Sequence, residues 1–163
     1  TLERFERTMR LNVTAGYFLT QRFARHWIER KPSAPADRAI GRILFVGSVN
    51  GQLAETDSTA YDTSKGAVEM MVKTLTVALA PHHIRVNGLA PGLVRSDATR
   101  WLDAQPAKAA WLAHHTPSGQ IPDASVCGPG AVYLVSDAAE HVHGHMLMID
   151  GGMSDWQQPE APD

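Results

Sequence analysis

The sequence holds a single cysteine, Cys127, so no disulfide can close within it, and a reducing cytoplasm suits it better than an oxidising compartment. The thiol itself reads as a small buried group. No apolar run approaches the ~20 residues needed to cross a bilayer, and the opening Thr1-Leu2-Glu3-Arg4 has neither a signal-peptide core nor an initiator Met. The expectation is a chain without membrane contact that starts partway through a longer protein. Charge of one sign is missing too. Fifteen Lys and Arg against seventeen Asp and Glu give a formal charge of -2, which offers no basic stripe to nucleic acid or to an anionic membrane. No internal repeat appears. With 163 residues, 44% of them apolar, the chain is long enough for one domain with its own core and too short to suggest two.

Apolar residues from Leu2 to about Arg30 recur at three- and four-residue steps, predicting a long amphipathic helix with Asn12 and Gly16 inside it. Pro32 and Pro35 break it and open a surface loop over residues 31–37. Arg42-Ile43-Leu44-Phe45-Val46-Gly47 is a run of β-formers of the kind covered on both faces in a parallel sheet, with Ser48 at its end. A polar stretch, Asn50 to Thr59, leads to a helix from Tyr61 to Leu79, ended by Pro81. Ile84 to Leu89 reads as a second strand, Ala90-Pro91-Gly92 as a turn, and Ser96-Asp97 as the cap of a helical stretch that Pro106 splits. A helix around Ala131 to Ser136 precedes a last strand, His145 to Ile149, and Asp150-Gly151-Gly152 close it. Gly128-Pro129-Gly130 reads as a kink at the start of that helix. Residues 153–163 lack periodicity and are expected to form a mobile tail, leaving 1–152 as one unit. Strands alternating with helices mean a parallel sheet and an α/β fold.

The chemistry concentrates in Tyr61-Asp62-Thr63-Ser64-Lys65, with Ser48 thirteen positions earlier. On a helix Tyr61 and Lys65 share a face one turn apart, so the ammonium approaches the phenol from a defined side. A nearby cation favours the phenolate, which brings a tyrosine toward the range useful for acid–base work. Ser48, at a strand end where open α/β sheets bind ligands, is placed to hydrogen-bond the oxygen whose proton Tyr61 exchanges. No side chain supplies hydride, so the arrangement implies a nicotinamide cofactor. Tyr-x-x-x-Lys alone is weak; the serine at that offset, in a strand-then-helix setting, sharpens it.

On these residues the sequence resembles the short-chain dehydrogenase/reductase family, in its classical type, from Thr1 to Gly152. The resemblance implies a Rossmann-type doubly wound parallel sheet represented by its C-terminal part, about three strands with flanking helices, the N-terminal βαβ units being missing. It implies that Ser48 orients substrate, Tyr61 is the acid/base, and Lys65 lowers the tyrosine pKa and holds the nicotinamide ribose. It implies that the backbone carbonyl of Asn12 holds a water linking the lysine to solvent. Pro91-Gly92-Leu93-Val94-Arg95-Ser96 looks like the family's Pro-Gly turn, in which Gly92 and the Val94 backbone line the nicotinamide and the Ser96 hydroxyl contacts its carboxamide. By the same resemblance Asn87 ties loops together, the stretch from Asp97 to Thr116 is the substrate lid, and Trp101 either lines the pocket or packs in the core. The family's glycine-rich cofactor turn and the residue that tells NAD from NADP have no counterpart here, so either cofactor remains open.

His141, His143 and His145 alternate but enter a surface turn, and no metal site is expected; His82-His83 and His114-His115 read as polar helix ends. Two functions stay open. One is an NAD(P)-dependent oxidoreductase acting on a small alcohol or carbonyl compound; the other is a catalytically silent oligomerisation module, a homodimer or homotetramer built on helices 2–30 and 61–79.

Overall fold

The computed structural model describes residues 1–30 and 38–155; the loop expected at 31–37 and the tail from 156 lie outside the described residues. Three parallel strands, β1 (Gly41–Val46), β2 (Ile84–Pro91) and β3 (Met146–Ile149), form one sheet in the order β1-β2-β3. Helices cross between them, as parallel pairing demands. The first crossover runs through α3 (Thr59–Leu79). The second runs through a 3-10 helix (Asp97–Ala104), α4 (Pro106–His114) and α5 (Cys127–Val135).

The long first helix is present with one interruption. It consists of α1 (Leu2–Met9), a π-helical turn (Arg10–Thr14) and α2 (Ala15–Arg30). A π turn inserts a residue without breaking helical hydrogen bonding, so the apolar periodicity hardly registers it.

β2 is the buried centre of the sheet, and successive side chains leave it on opposite faces. Val86 meets Val68, Met71 and Val72 of α3, with Phe45 from β1 completing that cluster. On the other face Arg85 donates to the Ser136 carbonyl at 2.7 Å and to Glu140 at 2.9 Å. Beside it Asn87 donates to the Val142 carbonyl at 2.7 Å and accepts the His145 N–H at 3.0 Å. Asn87 thus pins the segment entering β3, as expected. Asn87→Ala leaves a buried carbonyl and N–H without partners, and should cost about 2 kcal/mol, read as a lower urea midpoint at an unchanged slope.

Several boundaries differ from the sequence reading. Ala90 and Pro91, expected in a turn, extend β2, because Pro91 pairs with Ile149 and the Gly92 N–H donates to the Ile149 carbonyl at 3.0 Å. A terminal proline loses little where the ladder bond comes from the next residue's N–H. α5 starts four residues before the expected Ala131, with Pro129 in its first turn, where no N–H is needed. Residues 153–155, expected to begin a tail, instead form a turn in which the Met153 N–H donates to the Asp150 carbonyl at 3.2 Å and the Ser154 N–H to its carboxylate at 2.8 Å. Gly151 and Gly152, with φ of 65° and 87°, supply the positive angles that this reversal needs.

Candidate active site

A cavity of about 920 Å³ opens beyond the C-terminal ends of β1 and β2. Such strand ends are where open parallel sheets form ligand crevices. Ser48, Tyr61, Lys65, Pro91, Gly92, Val94 and Ser96 all line it. Residues separated by up to 48 positions thus share one surface because β1 and β2 are adjacent, and α3, which connects them, starts at the same end.

Tyr61 lies in the first turn of α3 and Lys65 one turn on. The Lys65 ammonium stands 5.4 Å from the centre of the Tyr61 ring and donates to the Val46 carbonyl at the end of β1 at 2.9 Å. That bond fixes the cation between strand end and phenol. Burial pushes the Lys65 ammonium below lysine's ordinary pKa, since desolvation disfavours the charged form. Tyr61 is 40% exposed, on the cavity side.

Ser48 caps a short 3-10 turn (Val49–Gly51). Its oxygen accepts the Asn50 N–H at 3.2 Å, and its hydroxyl donates to Asn50 Oδ1 at 3.3 Å. Asn50 in turn donates to the Asp62 carboxylate at 2.9 Å, whose other oxygen accepts the Glu55 N–H at 2.9 Å. The sequence reading missed both Asn50 and Asp62. Their signal was present but ordinary: an asparagine after a strand reads as a turn residue, and an aspartate in a first helical turn reads as a favourable charge at the helix dipole. Together they tie Ser48 to the helix that carries Tyr61.

Across the cavity the β2 end runs into the 3-10 helix. A Cβ on Gly92 would stand 2.7 Å from the Asp150 Cα, so only glycine lets this wall approach β3. The Thr99 hydroxyl donates to the Val94 carbonyl at 2.7 Å, and the Ser96 N–H donates to that same Thr99 oxygen at 2.8 Å. Among the described residues the Val94 N–H meets no acceptor, which leaves a donor on the cavity wall. Pro106 splits the helical stretch as expected, between the 3-10 helix and α4. Trp101 and Trp111 both line the cavity, which decides for Trp101 between pocket and core.

Asn12 lies outside the cavity lining, within the π turn. Its side-chain amide donates to the Ser64 hydroxyl at 2.9 Å, which itself donates to the Tyr61 carbonyl at 2.7 Å. The π turn is thereby fastened to the first turn of α3. The Cys127 thiol is only partly covered, less than expected, and burial raises its pKa. Among the described residues no three His, Cys, Asp or Glu side chains are grouped to hold a metal ion. No described helix is long and apolar enough to cross a membrane.

Comparison with known proteins places this geometry. Residues 1–154 match the family model described as enoyl-(acyl carrier protein) reductase. The chain is 37% identical over 143 residues to 5-keto-D-gluconate 5-reductase of Escherichia coli, covering 88% of this chain and 53% of that protein. It is 34% identical over 158 residues to gluconate 5-dehydrogenase of Gluconobacter oxydans, covering 94% and 59%. The crystal structure of a gluconate 5-dehydrogenase from Burkholderia cenocepacia in complex with NADP and tartrate superposes with a TM-score of 0.85 at 32% identity, over 96% of this chain and 58% of that one. The chain spans between half and three-fifths of the length of these relatives. With a family model matching nearly its whole length and a three-stranded parallel sheet of the same fold, the chain belongs to the short-chain dehydrogenase/reductase family.

Proposed function

We propose that this chain forms the hydride-transfer side of an NAD(P)-dependent oxidoreductase that interconverts an alcohol and a ketone on a polyhydroxylated substrate, with residues 1–152 as the C-terminal catalytic part of one Rossmann-type domain. The observation that carries the reading is the single cavity shared by Ser48, Tyr61 and Lys65, with the ammonium 5.4 Å from the phenol ring. The gluconate specificity of the relatives named above supports a sugar acid or polyol as substrate.

In the reducing direction Tyr61 gives its phenolic proton to the carbonyl oxygen, and in the oxidising direction it takes that proton from the alcohol. Lys65, fixed by the Val46 carbonyl, stabilises the phenolate side of this exchange electrostatically. Ser48 holds the reacting oxygen. Its own oxygen is anchored by the Asn50 N–H, and the long 3.3 Å bond to Asn50 Oδ1 is the one its proton gives up to bond substrate. Asn12, through Ser64, keeps the first turn of α3 in place as a positioning residue.

A nicotinamide cofactor, NAD or NADP, supplies or accepts the hydride when bound. The polar groups present fit that group: the free Val94 N–H, the Ser96 hydroxyl and the Gly92 carbonyl for the carboxamide end, and Lys65 with Tyr61 for the ribose. Saturable binding of NADH or NADPH, followed by fluorescence, with turnover of a keto sugar acid is the expected result. A stable dimer or tetramer, associated through the exposed apolar faces of α1, α2 and α3, that binds neither cofactor would instead make the chain an oligomerisation module.

A further inference from the structure

We infer that Lys108, on the lid, is the specificity-determining cation of the cavity and takes the carboxylate of a polyhydroxy acid; the inference rests on the reading of this cavity as the substrate site. Each described lysine outside the lid has an oxygen partner: Lys65 donates to the Val46 carbonyl, and Lys73 pairs with Glu69 at 3.9 Å. The arginines nearest in the lid are also neutralised, Arg95 by Asp103 at 2.8 Å and Arg100 by Asp97. Lys108 differs from all of these. Among the described residues no carboxylate lies in ion-pair contact with it, and it lines the cavity with its ammonium 4.7 Å from the centre of the Trp101 ring.

Two physical arguments give this position a purpose. Lys108 stands in the first turn of α4, where a cation opposes the helix dipole and gains the helix nothing. Stacking on Trp101 holds the flexible side chain at the cavity and reduces the rotamer freedom that binding would otherwise have to remove. The distribution of charge then orients a ligand. Glu55 and Asp57 line the loop side of the same cavity and repel a carboxylate, while accepting hydrogens from hydroxyl groups. A sugar acid therefore enters with its carboxylate toward Lys108 and its hydroxylated chain toward Ser48, Tyr61 and the acidic rim.

The test compares Lys108→Met with the unaltered protein on gluconate and on galactitol, an anion and a neutral polyol of similar length, in steady-state kinetics with saturating cofactor. Loss of a charge-assisted contact should raise the gluconate KM by about tenfold or more, with little change in kcat. The galactitol KM should stay within about twofold, and Lys108→Arg should restore most of the gluconate affinity. Equal effects on both substrates, no effect on either, or a rise in the cofactor KM alone would overturn the inference, the last because it would assign the cation to the cofactor phosphates. A protein that turns over neither compound removes the oxidoreductase reading. Tryptophan fluorescence titration with gluconate then decides the lysine separately: quenching that disappears in Lys108→Met upholds the carboxylate site, and quenching that is absent or unchanged refutes it.

Discussion

Tyr61→Phe should reduce turnover by about a thousandfold or more, because it deletes the only proton that the proposed site exchanges with the reacting oxygen; general acid–base catalysis contributes about 10²–10⁴ in rate, and the misplaced hydride acceptor adds to the loss. The fold should hardly notice. Tyr61 is 40% exposed, and among the described residues its hydroxyl enters no hydrogen bond, so the urea midpoint should move by less than about 0.5 kcal/mol equivalent. Cofactor affinity should survive within a few-fold, since the ring remains. Measured together, an unchanged midpoint, near-normal cofactor binding and vanished turnover assign the proton to this phenol. Retention of a tenth or more of the activity would transfer the role to another group.

The sequence was most legible where a single physical constraint dominates. The apolar run from Ile43 to Val46 located β1, and Ile84, Val86 and Leu89 located β2, the strand buried on both faces. Pro106 had to interrupt the lid because its ring excludes an interior helical position, and the lid divides there. Tyr61 and Lys65 needed only helical geometry to meet. What stayed hidden depended on partners distant in the chain or on cancelling effects. The π turn adds one residue to the helix Leu2–Arg30 without altering which residues are apolar. Pro91 looked like a strand terminator, yet the bond to the Ile149 carbonyl comes from the Gly92 N–H and needs no donor from proline. Arg85 carries no local sign of its partners, because its burial rests on Ser136 and Glu140, more than fifty positions away. The network from Ser48 through Asn50 to Asp62 was invisible for another reason: each residue has an ordinary local use, and only the packing of α3 against the 3-10 turn after β1 brings the three together.

Lys65→Met separates what the site needs from what the fold needs. Turnover should fall by about a hundredfold, as expected when a cation within about 6 Å of the proton-exchanging group is removed, and cofactor should bind more weakly. Stability should move the other way. Burial sets the Lys65 pKa below the ordinary lysine value of about 10.4, so between the folded and unfolded values the unfolded chain binds more protons, and stability rises as pH climbs through that window. Below the window the full cost of burying the ammonium is present. Methionine fills similar space without that cost. The bond to the Val46 carbonyl is lost, but that carbonyl lies at the cavity edge, where water can replace the ammonium. The variant should therefore match or exceed the parent urea midpoint at pH 7, and it should lack the parent's gain in stability as pH rises toward the ordinary lysine value. A midpoint well below the parent at pH 7 would make Lys65 a structural tie between β1 and α3. The expected pattern, a chain that folds as well or better and works far worse, has one physical explanation: the charge is held in a place unfavourable to the fold because the phenol beside it requires a cation there.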